Sequence, residues 1–109
     1  MGYMRHHAII VTSWNENHLR EIRKYAKNLF SHLTSEIVFA TINGYGSFMI
    51  APDGSKEGWI TSNDYNDKRD MFIKFIENNR DALWCDYVEI QFGDEEGNQK
   101  VLRASNKND

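Results

Sequence analysis

A chain of 109 residues has room for one domain around one hydrophobic core. Apolar residues make up 40% of it and aromatics 13%, which is enough to close that core and excludes wholesale disorder. The net charge is −3, and Lys and Arg are scattered over both predicted helices, so duplex DNA is not an expected partner.

Cys85 is the only cysteine, so no intramolecular disulfide can form, and a domain of this size without such staples points to a reducing compartment. No apolar run approaches the roughly 20 residues that cross a bilayer. The N-terminus lacks the long apolar segment of a signal peptide. A cytoplasmic protein with no membrane partner is expected. Arg20, Arg23, Lys24 and Lys27 form the one local concentration of positive charge, and they read as the solvated outer face of a helix.

In chain order, His6–Ser13 (HHAIIVTS) is short, β-branched and apolar on both faces, which predicts a central strand. A helix follows, with Asn15 as its N-cap and Trp14 and Leu19 as a hydrophobic staple. Leu19, Ile22, Ala26, Leu29 and Leu33 share its inner stripe, and Thr34 and Ser35 end it. Glu36–Asn43 and Ser47–Pro52 read as two strands joined by Asn43-Gly44-Tyr45-Gly46, whose Asn-Gly pair suits a hairpin turn. Pro52-Asp53-Gly54-Ser55 ends the second of these, and Glu57–Ile60 reads as extended.

The second helix is predicted to start near Ser62–Asp64, with Asp67 in its first turn and Tyr65, Arg69, Phe72, Phe75, Ile76 and Asn79 on one face. Trp84–Phe92 alternates with period two. Trp84, Val88, Ile90 and Phe92 are assigned inward, and Cys85, Tyr87, Glu89 and Gln91 outward. Gly93–Asn98 is a turn, and Lys100–Ala104 returns as a last strand. The order strand, helix, strand, strand, helix, strand, strand predicts an α+β fold. Its simplest form is a ferredoxin-like βαββαβ sandwich with an additional C-terminal strand and both helices on one face of an antiparallel sheet. The expected strand order is 4-1-3-2 with the fifth beside the fourth. One domain spans residues 5–104, and residues 1–4 and 105–109 are expected to be flexible termini. The opposite sheet face keeps enough apolar groups to ask for a cover, and a homo-oligomer is expected for that reason.

This topology gathers several distant segments at one pole: Arg5, His6 and His7, the segment Asp53–Trp59 (DGSKEGW), the start of the second helix, and the turn Asp94–Gly97. Gly lets a backbone approach a ligand, Ser55 and Lys56 offer donors to an anion, and Trp59 can stack on a ring. Arg69 adds a fork that fits phosphate. The candidate ligand-binding set is therefore Arg5, His6, His7, Asp53, Ser55, Lys56, Trp59 and Arg69. Adjacent His6 and His7 point to opposite faces of a strand, so they are not two ligands of one metal, and no zinc spacing exists. Cys85 has no basic activator in sequence, and Ser13 and Ser47 stand in no nucleophile motif. Neither a catalytic constellation nor a cofactor is assigned.

The strings HHAIIVTSW (His6–Trp14), NGYGSFMIAPDGSKEGW (Asn43–Trp59), RDMFIKFI (Arg69–Ile76) and QFGD (Gln91–Asp94) resemble a family of small phage and prophage proteins. No catalytic residue comes with that resemblance. It implies an accessory protein acting on host machinery in the host cytosol, counter-defence included, and working by binding. The leading expectation is a non-catalytic protein that sequesters a phosphorylated small molecule such as a signalling nucleotide. The alternatives are an inhibitor that docks on a host protein and a small hydrolase using His6 or His7 as general base.

Overall fold

The computed structural model describes residues 5–56, 58–93 and 99–105. The chain forms strand β1 (His6–Ser13), helix α1 (Glu16–Phe30), the short strand β2 (Val38–Phe39) and β3 (Gly46–Ile50). It continues through helix α2 (Ile60–Asn78), β4 (Asp86–Phe92) and β5 (Lys100–Ala104). The fold is α+β, with the strands in one antiparallel sheet of order β2-β3-β1-β4-β5. From the other edge this is the strand order expected from the sequence.

Helix α1 starts where its sequence directs: the Asn15 side chain accepts from the His18 amide at 3.1 Å, satisfying one of the orphan donors of the first turn. The Trp14 ring that precedes the cap tilts against Trp84 with centroids 6.0 Å apart. The helix ends at Phe30, earlier than expected. Ser31 turns to φ 54°, and a single 3-10 turn, Ser31–Leu33, carries the chain to the sheet.

Leu19, Ile22, Ala26 and Phe30 of α1 and Phe72, Ile73 and Ile76 of α2 are buried in one core with Ile9, Val11, Phe48, Ile50 and Tyr87 of the sheet. Both helices therefore cover the same sheet face. Each fully buried Leu, Ile or Phe contributes roughly 1.5–3 kcal/mol. Between the helices, Tyr25 and Phe75 stack at 4.0 Å. Gly46 is needed for close approach: a Cβ there would lie 2.9 Å from Leu19 Cδ2 and 3.1 Å from Ile37 Cγ2.

Three further expectations are corrected. The strand placed at Glu36–Asn43 shrinks to Val38–Phe39. Ser35 Oγ accepts the Met49 amide at 2.8 Å and interrupts the ladder on one side, while Asn43 and Gly44, both at positive φ, turn the chain on the other. Helix α2 begins at Ile60 rather than near Ser62–Asp64, so Ile60 is helical and Asp67 lies well past the first turn. Glu57 lies outside the described residues, as does the turn Asp94–Asn98.

The third correction concerns β4, whose two faces are exchanged. Tyr87, Glu89 and Gln91 are buried under the helices, while Val88, Ile90 and Phe92 line the opposite face. Cys85, expected outward, is buried in the core with them. The physical reason is that the covered face is not uniformly apolar: Arg103, from β5, reaches under the helices and supplies Glu89 with a partner.

Candidate functional site

The antiparallel register Ile9↔Ile50 and His7↔Gln91 sets the pole. The start of β1, the end of β3 and the end of β4 lie at the same end of the sheet. The loop leaving β3 is built around Asp53, whose carboxylate accepts from the Ser55 amide at 3.2 Å and from the Ser55 hydroxyl. This side-chain-to-backbone turn fixes the loop locally. Gly54 at φ 86° and Gly58 at φ 90° adopt backbone conformations that other residues rarely tolerate.

Helix α2 clamps this loop from above. Arg69, only 2% exposed, donates from Nη1 to Asp53 Oδ1 at 3.3 Å and from Nη2 to Asn66 Oδ1 at 2.7 Å. Burial works to raise the Asp53 carboxyl, but the Ser55 hydroxyl and amide and the Arg69 guanidinium outweigh it and hold it below the usual carboxylate range. Arg69 is thus engaged within the protein rather than displayed as a fork. It is a positioning residue for the loop.

Beyond the clamp the loop surfaces. Trp59, 52% exposed, occupies the N-cap of α2 without a capping side chain, so the first-turn amides and the positive end of the helix dipole are uncapped by it. Lys56 Nζ stands 5.9 Å from the centroid of the Trp59 ring. A cation, an aromatic plane and a helix start are thereby adjacent. Groups of these kinds can in general attract an anion and stack on a planar ring.

The histidines separate as strand geometry requires. His7 faces the helices and is buried, whereas His6 lies on the opposite face with its ring 5.2 Å from that of Phe92. Of the two, only His7 shares the side of the sheet that carries the Asp53–Arg69 clamp. Arg5 is half-buried at the strand's start.

A second polar cluster adjoins the first and was not singled out from sequence. Arg103 donates from Nε to buried Glu89 at 2.6 Å and from Nη1 to Asp70 at 2.9 Å, and Lys74 pairs with Asp70 at 2.9 Å. The Tyr87 hydroxyl bonds to Glu77. The Asp70–Lys74 spacing of four and the phase that Glu89 shares with Tyr87 were its only signals. Burial, with Asp86 and Glu77 adding to it against Arg80, pushes the Cys85 thiol up to about 12, away from the thiolate form.

Several concave surfaces among the described residues lie away from this pole. One hollow of about 230 Å3 is lined by Arg20, Arg23, Lys24, Lys27 and Asn28 on α1. Two others open on the uncovered sheet face. Among the described residues no helix is long and apolar enough to cross a membrane. Comparison with family models, curated proteins and solved structures returns no match.

Proposed function

We propose that the protein is a non-catalytic binding module that captures a phosphorylated, ring-bearing small molecule of the signalling-nucleotide type at the Lys56–Trp59 pole. The observation that carries this reading is the Lys56 ammonium poised by the exposed Trp59 ring at the uncapped start of α2. The Asp53–Arg69 clamp supports it by holding the loop before a ligand arrives, which lowers the ordering cost of binding. The strand order supports assigning the fold to the ferredoxin-like sandwich with one added strand. An accessory role of phage type in the host cytosol, counter-defence included, belongs to the same proposal and rests on the resemblance given above.

A panel of cyclic and linear nucleotides in a thermal-shift assay tests the reading. A ligand at about 100-fold excess over Kd stabilises the native state by about 2.7 kcal/mol. For a chain of this length that moves Tm by on the order of 10 °C. Trp59→Ala and Lys56→Ala abolish the shift while leaving the unliganded Tm within about 3 °C, as expected for surface substitutions. No shift at millimolar ligand refutes the assignment.

A second reading, direct docking on a host protein, draws on the β2 hairpin, where Val38, Phe39 and Ile42 are exposed at a sheet edge. It requires that Ile42→Asp eliminate a stoichiometric partner recovered from host lysate, while nucleotide binding is unchanged.

A further inference from the structure

Helix α1 turns its cations to one side. Arg20, Arg23, Lys24 and Lys27 follow one another at helical intervals of three and four residues, so they share one stripe of its surface. With Asn28 they line the hollow of about 230 Å3, whose wall holds four positive groups, one amide and no carboxylate. In a chain of net charge −3 this is a local reversal of sign, and a concave cluster of one sign focuses the field on whatever enters it. Glu21 lies round the helix toward α2, in an adjoining hollow with Tyr25 and Phe75.

The four groups differ in how they are held. Arg23, 21% exposed, donates from Nε to the Ser35 carbonyl at 2.8 Å, and Arg20 donates from Nε to Glu16 at 2.7 Å. Glu36 stands 3.4 Å from Nη2 of Arg23. Each guanidinium is thus oriented by the protein through one edge, which leaves Nη1 of the fork for a ligand. Lys24 and Lys27 are exposed and form no ion pair among the described residues. By contrast Arg69, Lys74, Arg80 and Arg103 are each spent on a carboxylate.

The lining also says which anion fits. No aromatic ring faces the hollow, so it offers no platform for a base. Its volume is below the roughly 300–1,000 Å3 of sites that enclose a drug-sized molecule. Neighbouring cations on such a stripe stand about 5–6 Å apart at Cβ. A single phosphate therefore engages part of the stripe, whereas a run of linked phosphates spans it. We propose that this face of α1 is a second anion site, separate from the Lys56–Trp59 pole, and that its ligand is a free, multiply charged phosphate chain.

Calorimetric titration of the full chain with tripolyphosphate, at about 50 mM ionic strength where exposed charges are weakly screened, tests it. Saturable binding is expected, about tenfold or more tighter than that of orthophosphate. Lys24→Glu/Lys27→Glu abolishes it with an unchanged far-ultraviolet circular dichroism spectrum. Lys24→Gln/Lys27→Gln weakens it about tenfold, and carries the test should the charge-reversed variant fail to fold. Lys56→Ala and Trp59→Ala leave it unchanged, so this site and the nucleotide reading of the pole fail or succeed separately. Absence of binding at millimolar tripolyphosphate overturns the proposal, as does equal binding by the native chain and a folded variant of the stripe. Loss of binding in Lys56→Ala overturns it by moving the anion to the pole. A single-stranded oligonucleotide that binds more tightly than tripolyphosphate overturns it by making the stripe a nucleic-acid track.

Discussion

The two faces of the sheet invert the usual rule. The face under the helices holds the ion pairs Asp53–Arg69 and Glu89–Arg103 beside its apolar core, whereas the open face carries Ile10, Met49, Val88, Ile90 and Phe92 with few polar groups. The lesson is one of physical cause. An ionisable group belongs inside when a partner and hydrogen bonds are supplied there. An apolar row belongs outside when a further surface covers it.

The largest consequence falls on the covered face. Arg69→Leu leaves the Asp53 carboxylate buried with Ser55 but without its cation, and it is expected to cost about 3–5 kcal/mol in urea unfolding. The double variant Asp53→Asn/Arg69→Leu recovers part of that loss, because no uncompensated charge remains. If the single variant loses less than about 1 kcal/mol, an ordinary surface value, the clamp is not what orders the loop and the contrast between the faces weakens.

Neighbours on β4 offer a sharper comparison at smaller amplitude. Glu89→Ala strips Arg103 of its buried acceptor and is expected to cost about 2 kcal/mol, in the range for charged hydrogen bonds. Val88→Thr, one residue away on the open face, changes stability by less than about 1 kcal/mol. Equal effects would mean that the phase of this strand is not as described.

The sequence expectation failed on that same phase, and the reason is instructive. Alternation in Asp86–Phe92 reveals that the strand has two unlike sides, but not which side the helices cover. Apolarity alone puts Val88, Ile90 and Phe92 inward, and nothing local shows that Glu89 finds its partner in Arg103, fourteen residues away across a turn. Local signals fared better. Asn15 capped α1, His6–Ser13 formed the central strand, and Lys100–Ala104 has the bounds expected. Where long-range hydrogen bonds intervene, reading was poorer, as with the Ser35–Met49 bond that truncates β2. At the pole, chain order is enough to bring the start of β1 and the end of β3 to one end of the sheet, but not to reveal that Arg69 serves Asp53.

Acid provides a milder probe of the clamp. The Asp53 carboxyl is held below its unfolded value of about 3.9, so the folded state binds fewer protons than the unfolded chain at mildly acidic pH. Its contribution is fully present above that range and is lost as pH falls through the lowered folded value. Stability followed by urea titration from pH 6 downward is expected to decline below about pH 5. In Asp53→Asn the decline is shallower, and a slope unchanged by that substitution would remove Asp53 from the account.

The smallest effect leaves stability untouched and reports the phase of the strand directly. Cys85 lies on the same side as Tyr87 and Glu89, buried and with its thiol pushed up to about 12. A thiol-selective reagent at neutral pH therefore modifies the folded protein only through opening of the core, and reaction becomes fast in denaturant. Moving the thiol by three positions, as Cys85→Ala/Val88→Cys, transfers it to the open face. There it reacts rapidly in the native protein. Rapid labelling of native Cys85 would place the odd-numbered side of β4 in water. Slow labelling of the thiol at residue 88 in the native protein would mean that the even-numbered side does not face water.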